Sequence, residues 1–591
     1  MNCAADHVVE RLPTARQQPA GEPHRFGLLA VAAFSCICVS LTYGFNLISG
    51  AMQERYGLTQ RDLSTISTVG IAVGYFGLPY SFIYDHFGPK PIYFLGLLCY
   101  LLGTVMFALT FQGVIEGTVL RLSIYNASVT LGCSMFDMGA LVTLLSVFPS
   151  NRGAVVAMLK TLNGLGAAIV GSVRLAFFSE NTSAYFYFLM TLVIVIGTLA
   201  TAYVRLPSYH LTGYEENHLS EEEKVKRLMR KAVYLRQKAP TWRFVHGFVI
   251  LIALIVFLPT QGALLAYLKL GSDYKVGFAV VTIILTLLLP LMAIPTTKFD
   301  GNNQRIGIDD KSPTEGAVGS NDGDSSGSNV VETNVDYIAP QFQESFLAGL
   351  RTLRLWCLMF TIFFCAGSLF VVMFNARYIY TAMVGEAPDE ALNTLLTVLG
   401  GAGSATGRLG MSFFEVWSQK RKPEQRVPIT VVLFIPTTFV IIMLTMFLTV
   451  PKSVLPLSYF IGALANGCNS ATIILVSRTI FAKDPAKHYY FCYIGSLLSA
   501  IFLNRLLYGE WYTHEAEKRG EVVCTDKVCV MMPMMLLLVL SLLAFVSSSY
   551  VHVQYRRLCT KALEERRRIR EEEAAARRQL SGATATAELP N

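Results

Sequence analysis

Charged residues are scarce in this chain. They make up 15% of its 591 positions, where a soluble protein of this size holds about 25%. Alternation is missing too, because the apolar runs are continuous, and that excludes a β-barrel. There is no phosphate-binding Gly-rich loop ending in Gly-Lys, no Gly-x-Ser-x-Gly elbow and no His-rich metal set. An ATP-driven pump and a membrane enzyme are therefore disfavoured, and neither a metal nor a cofactor is expected. The first 25 residues lack an apolar core, which argues against a cleaved signal peptide, and Asp6, Glu10 and Glu22 interrupt any mitochondrial presequence. The first apolar run then serves as the insertion signal.

What the chain does have is apolar length. Hydrophobic residues make up 53% of it, and runs of about 20 residues, enough to cross hydrocarbon about 30 Å thick, recur from end to end. Fourteen spans are read, near 26–50, 63–84, 91–111, 122–148, 154–178, 184–206, 244–268, 276–295, 353–378, 392–416, 427–450, 455–481, 488–508 and 530–552. The fold class is an all-α polytopic membrane protein.

The net charge of +8 does not point to nucleic acid, because the bases cluster in alternate loops. Lys90, Arg152, the Lys224 to Lys238 segment, Lys420-Arg421-Lys422 and Arg556 to Arg578 share one side, and the excess of bases makes that side cytoplasmic. Both termini are expected there, in the plasma membrane first and an intracellular organelle second. Most of the 12 cysteines lie within apolar runs, where they pack as small side chains. Cys524 and Cys529 share a short outside loop, where a disulfide and two separate thiols are both open.

Two inserts interrupt the spans. Residues 219–237 open on Ser220-Glu221-Glu222-Glu223, a capping box, and place Val225, Leu228, Met229, Ala232 and Leu235 on one helical face. That pattern favours a helix lying on the inner leaflet, with a cytoplasmic helix packed on the bundle as the alternative. Residues 300–340 are rich in Gly, Ser, Asn and Asp and read as disordered. The tail beyond Val553 reads as a charged, solvated helix.

The join between the second and third spans organises the rest. Gly77-Leu78-Pro79-Tyr80-Ser81-Phe82-Ile83-Tyr84-Asp85-His86-Phe87-Gly88-Pro89-Lys90 packs a glycine, an acid, a turn glycine and a base into one tight turn. It resembles the loop between helices 2 and 3 of major facilitator superfamily transporters, with His86 and Pro89 departing from that pattern. A degraded copy follows in the second half, where Gly407 precedes Glu415 at the spacing of Gly77 from Asp85, and Lys420-Arg421-Lys422 follows. The copy sits at the end of the tenth span, so spans nine to fourteen form a second six-helix unit and spans seven and eight lie between the halves. Parallel repeats of this kind are a known transporter organisation.

The implied domains are an N-terminal segment 1–25, a six-helix bundle 26–206 and an amphipathic linker 207–243. Two extra spans 244–296, a disordered loop 297–350, a second six-helix bundle 351–552 and a charged tail 553–591 follow. Gly77, Asp85, Gly88, Lys90, Gly407, Arg408 and Glu415 are the candidate gating residues, with Asp85 latching the cytoplasmic side in one state.

A closer likeness runs through Phe148-Pro149-Ser150-Asn151-Arg152-Gly153-Ala154-Val155-Val156-Ala157-Met158-Leu159-Lys160 and Gly164-Leu165-Gly166-Ala167-Ala168-Ile169. This segment is similar to the nodulin-like branch of the superfamily, from which Ala157 and Gly166 depart. The resemblance implies a secondary carrier, and some protist relatives are associated with monocarboxylates such as pyruvate.

An ionisable group at membrane depth is costly and by default a functional candidate. Asp137, near the middle of the fourth span, is the candidate coupling carboxylate. Lys160 and Arg174 in the fifth could pair with it or meet an anionic substrate, and Asn46, Asn163 and Asn375 are candidate cavity amides. Gln261, Asn126, Asn466, Asn469 and Asn504 fit interhelical hydrogen bonds. The resulting expectation is alternating-access transport of a small solute, an organic anion such as a monocarboxylate, with protons as a possible partner. A metal ion or chelate, another nutrient, and a non-transporting sensor of the same fold are the alternatives.

Overall fold

Inside a bilayer every backbone N–H and C=O must find a partner within the chain, so continuous apolar segments become helices. A computed structural model describes residues 21–40, 44–149, 151–229, 234, 237, 239–295, 340–419, 421, 423–481 and 485–587. Among these residues the regular structure is helical, apart from one isolated bridge between Phe342 and Phe481. Thirteen of the described helical stretches are long and apolar enough to span a membrane.

The first half comprises α1 (Glu22–Val39), α2 (Phe45–Tyr56), α3 (Gln60–Tyr75), α4 (Leu78–Phe87), α5 (Pro89–Gln112), α6 (Val119–Val147), α7 (Arg152–Phe177) and α8 (Thr182–Tyr203). A linker carries α9 (Gly213–His218) and α10 (Glu221–Met229). The central pair is α11 (Thr241–Tyr267) and α12 (Ser272–Leu287). The second half runs α13 (Leu353–Phe374), α14 (Ala376–Val384), α15 (Glu390–Gln419), α16 (Phe434–Thr449), α17 (Leu455–Ile480) and α18 (Pro485–Ser499). A π-helical turn over Ala500–Gly509 leads into α19 (Glu510–Lys518), and α20 (Val528–Ala587) ends the chain.

The expected tenth span lies in α15, which is not among the thirteen. Its middle, Leu399 to Leu409, is mostly Gly, Ala, Ser and Thr. Those small residues let α15 pack closely against both α7 and α17, the way helices associate where lipid supplies no hydrophobic drive.

The duplication is visible in the backbone. The first helix of each half breaks toward the same end, α1 into α2 and α13 into α14, and both short pieces stop at a left-handed glycine, Gly57 (φ 63°) and Gly385 (φ 91°). Asn46 sits just after one break and Asn375 at the other, separated along the chain as Gly77 is from Gly407, to within one residue. The second span is also interrupted. Phe76 and Gly77 part α3 from α4, and Pro79, which has no N–H to give, stands in the first turn of α4.

The ends of the molecule are named here for what they carry. The loop end holds Asp85 and the turn at Gly88 (φ 79°); the far end holds Glu54 and Glu510. Between the halves, α7 and α15 run against each other along a seam. At its centre a Cβ on Gly401 would lie 2.8 Å from the Gly164 carbonyl oxygen. The central pair covers that seam, α11 touching both α7 and α15 and α12 touching α7. Gln261 of α11 donates to Ser172 (2.8 Å) and accepts from Thr282 (3.4 Å), as expected of an amide at membrane depth.

The linker differs from expectation in one respect. A short helix, α9, precedes the amphipathic segment and closes its own capping box between Thr212 and Glu215. The expected helix 219–237 is described over Glu221–Met229, with Glu223 N donating to Ser220 (3.4 Å). Its apolar face, and nearly all of the loop 300–340, lie outside the described residues. The last span continues into the tail as one helix, on which Arg567–Glu571 (2.9 Å) and Arg568–Glu572 (3.6 Å) pair one turn apart.

Gly401→Ala forces the seam apart, and overpacking of this kind costs about 1–3 kcal/mol. The detergent-solubilised variant is expected to melt several degrees lower. Gly410→Ala, one helix face away with nothing within 4 Å of its Cβ position, is expected to leave the melting temperature unchanged.

Candidate functional site

A cavity of about 220 Å³ lies between the two halves. Its walls come from the middle and the loop-end portions of α3, α4, α6 and α7 on one side and α13, α15, α17 and α18 on the other. Phe374 lies toward the far end, whereas Tyr80, Val142 and Tyr490 line it toward the loop end. The space therefore extends from membrane depth toward Asp85.

Asp137 lies on this wall. Lys160 Nζ reaches both of its carboxylate oxygens at 2.7 Å, and Asn163 Nδ2 donates to Oδ1 at 2.6 Å. The side chains are 28% exposed for Asp137 and 12% for Lys160, so the ion pair faces the cavity from its carboxylate side. Lys160 and Asn163 share a face because they stand one turn apart on α7, and that face meets α6. Arg408 of α15 completes the charged wall, donating to the Lys160 carbonyl oxygen (2.8 Å) and to Ser470 (3.5 Å). Asp137, Lys160 and Asn163 are thus brought together as one group, joined by Arg408 and Gly77, which had been read as gating residues.

The opposite wall is aromatic. Tyr75 and Tyr80 flank the break in span two, and Tyr489, Tyr490 and Tyr493 project from α18. Tyr75 lies 5.1 Å from Tyr493 and 6.2 Å from Phe370, centroid to centroid, so rings of the two halves converge at the break.

The remaining candidates lie elsewhere. Arg174 is buried at the far end of α7 and pairs with Glu390 of α15 (3.0 Å), away from Asp137. Asn46 and Asn375 do not line the main cavity. Asn46 donates to Asn393 (2.9 Å) and Thr397 (3.2 Å) of α15. Asn375 accepts from Gln60 of α3 and donates to Asn504 (2.8 Å), whose amide reaches Ser67 (3.4 Å) and Thr68 (3.3 Å). Each amide at a first-helix break therefore crosses to the second helix of the other half.

Ion pairs reinforce this end. Glu510 takes Arg61 (2.8 Å) from the first half and Arg505 (2.5 Å) from the second, and Arg377 meets Glu54 (3.1 Å). Arg505 was legible, since a base inside an apolar run is the same signal that marked Asp137. Glu54, Glu390 and Glu510 sit at span ends and carry no such signal.

Asp85 is exposed at the end of α4, and its loop packs on the linker of its own half. Phe87 stacks on Tyr214 at 6.4 Å, and a Cβ on Gly213 would lie 3.0 Å from His86 Nδ1. Burial pushes the linker's His210 below its ordinary pKa, against the pull of Asp85 and Glu215. Gly88 forms the turn and Lys90 is exposed at the start of α5. In the second half, Gly407 presses on α17, where a Cβ would meet Cys468 N at 2.8 Å, and Glu415 is half-buried near the end of α15. Cys524 and Cys529 are joined in a disulfide.

Two bundles with a shared cavity define the major facilitator fold, and comparison with known proteins agrees. The family model of the Major Facilitator Superfamily matches residues 28–307, covering the first bundle and the central pair. A POT family transporter in complex with 5-aminolevulinic acid is similar over 90% of this chain and 97% of its own, with a TM-score of 0.51 and 14% identity. A bacterial homologue of the human drug peptide transporters covers 92% of this chain and 100% of its own, with a TM-score of 0.50 and 11% identity. At such identities the likeness is one of fold. No curated protein sequence matches the chain.

Removing one member of this half-buried ion pair leaves the other without its counter-charge, at a cost of up to about 3–5 kcal/mol, the figure for a fully buried pair. Asp137→Ala is expected to lower the melting temperature sharply, and the double variant Asp137→Asn with Lys160→Met is expected to recover most of the loss. Treatment with a thiol reagent without reductant is expected to leave Cys524 and Cys529 unlabelled, and prior reduction to expose both to alkylation, read by mass spectrometry of the loop peptide.

Proposed function

We propose that the chain is a major facilitator secondary transporter that moves a small organic anion by alternating access. The observation that carries this reading is the charged cavity between two duplicated halves, extending toward one end while paired amides and ion pairs bridge the other. A route through the membrane needs the bridges at Asn46–Asn393 and Asn375–Gln60 to part as the loop end closes. With the base-rich loops inside, the loop end is cytoplasmic, both termini are cytoplasmic, and the described state is inward-facing. The seam between α7 and α15 is then the line about which the halves rock.

The substrate class follows from charge and from likeness. The lining carries Lys160, Arg408 and one carboxylate, Asp137, a balance that favours an anion. The resemblance to the nodulin-like branch supports a monocarboxylate such as pyruvate. Asp137 is the group to couple a proton: protonation removes its attraction for Lys160, freeing that ammonium for the substrate, with Arg408, Cys36, Tyr93, Tyr489 and Tyr490 the other titratable groups around it.

Reconstituted vesicles test the reading directly. Pyruvate uptake is expected to rise when a proton gradient is imposed, and Asp137→Asn is expected to abolish that response. Uptake that ignores both the gradient and this substitution overturns the coupling role, and a folded protein that moves no anion points to a sensor.

The far-end closure has its own test. In a background without reactive native cysteines, Val372→Cys, which lines a small pocket beside Asn46 and Thr397, reports access from outside. Asn46→Ala with Asn375→Ala is expected to raise its labelling rate several-fold, and an unchanged rate removes these amides from the gate.

A further inference from the structure

The cavity has two unlike walls. On the α6, α7 and α15 side stand Asp137, Lys160 and Arg408; on the other side the rings of Tyr75, Tyr80, Tyr489, Tyr490 and Tyr493 converge with Phe370. A three-carbon acid can answer only the first wall. Its carboxylate would meet the cations, and its methyl group would leave most of the ring surface covered by water. About 220 Å³ is the volume that about seven waters occupy in the liquid at about 30 Å³ each, which leaves room for a larger body.

The geometry points to an amphipathic substrate: we infer that the anion the cavity prefers carries an aromatic ring, seated against the tyrosines while its carboxylate faces Lys160 and Arg408, with a three-carbon acid such as pyruvate the weaker occupant. This rests on the reading of the cavity as a substrate site and narrows its class from organic anion to ring-bearing carboxylate. Three physical points support it. Aromatic faces prefer offset or edge-on aromatic partners at centroid separations of about 4.5–7 Å, and the existing Tyr75–Tyr493 and Tyr75–Phe370 contacts already lie in that range. The rings come from both halves, so a ring packed against them touches both bundles at once. The break at Phe76–Gly77 places this contact beside the interruption of the second span, between α3 and α4.

Charge orients the substrate. A cationic aromatic amine would also suit tyrosine faces, but it would have to approach a wall holding two cations and a carboxylate already held by Lys160 and Asn163. The carboxylate is therefore the end expected at that wall.

Binding to the purified full-length protein in detergent separates this inference from the transport reading, because it requires no flux. Three probes are compared by calorimetry: 3-phenylpropionate, propionate and phenethylamine. The expected order places 3-phenylpropionate at least tenfold tighter than either of the others. Tyr493→Leu is expected to bring it within about threefold of propionate, and Tyr493→Phe is expected to preserve the preference. Arg408→Gln is expected to weaken both carboxylates together.

Equal affinity for 3-phenylpropionate and propionate overturns the inference, as does tighter binding of phenethylamine, or a ring preference that survives Tyr493→Leu. Preferential binding of 3-phenylpropionate without any uptake of it into vesicles upholds the ring site and overturns transport instead.

Discussion

A carboxylate and an ammonium cannot each stand alone in hydrocarbon. The contact between Asp137 and Lys160 resolves that constraint, and much of the structure is arranged around it. The pair holds α6 to α7, and α7 forms the seam with α15. Arg408 ties α15 back to the Lys160 backbone. A charge pair of this kind is poor as a source of stability, because desolvation offsets most of its attraction. A charge pair can nonetheless be broken by a proton or by a competing anion, which a purely apolar contact cannot.

The same constraint explains the far end. Where the first helices of the two halves break, backbone and amide groups are left at membrane depth and must find partners. They find them across the interface, Asn46 with Asn393 and Asn375 with Gln60. Duplication makes the solution appear twice, once from each half. Each such hydrogen bond within a membrane protein is worth only about 1 kcal/mol, and water can replace it. The ion pairs on Glu510 and Glu54 lie further out, where they are more exposed and contribute little each.

The central pair of helices is an insertion that the duplication does not require. Its position over the seam sets it against both halves: Gln261 is anchored on Ser172 of the first, while α11 also packs on α15 of the second.

Much of the architecture was legible in the sequence. Span length follows from bilayer thickness, helix from the absence of backbone partners in lipid, and the repeat from the recurrence of one Gly-to-acid spacing. Asp137, Lys160 and Asn163 could be singled out because polar groups in apolar runs are costly wherever they end up. Which cation meets Asp137 was undecided until the rotation of α7 was known: Lys160 faces α6, while Arg174, further along the same helix, turns to Glu390. Asn46 and Asn375 looked like cavity groups for the same reason that they bond across the halves, since cost at membrane depth does not say which interface relieves it. The aromatic wall was hidden because tyrosines in a helix are ordinary packing residues until rings from separate halves meet. One-dimensional pattern determines what must be paired and how far each helix must reach; only the packed bundle decides the partner, because that depends on helix rotation and on contacts between residues hundreds of positions apart.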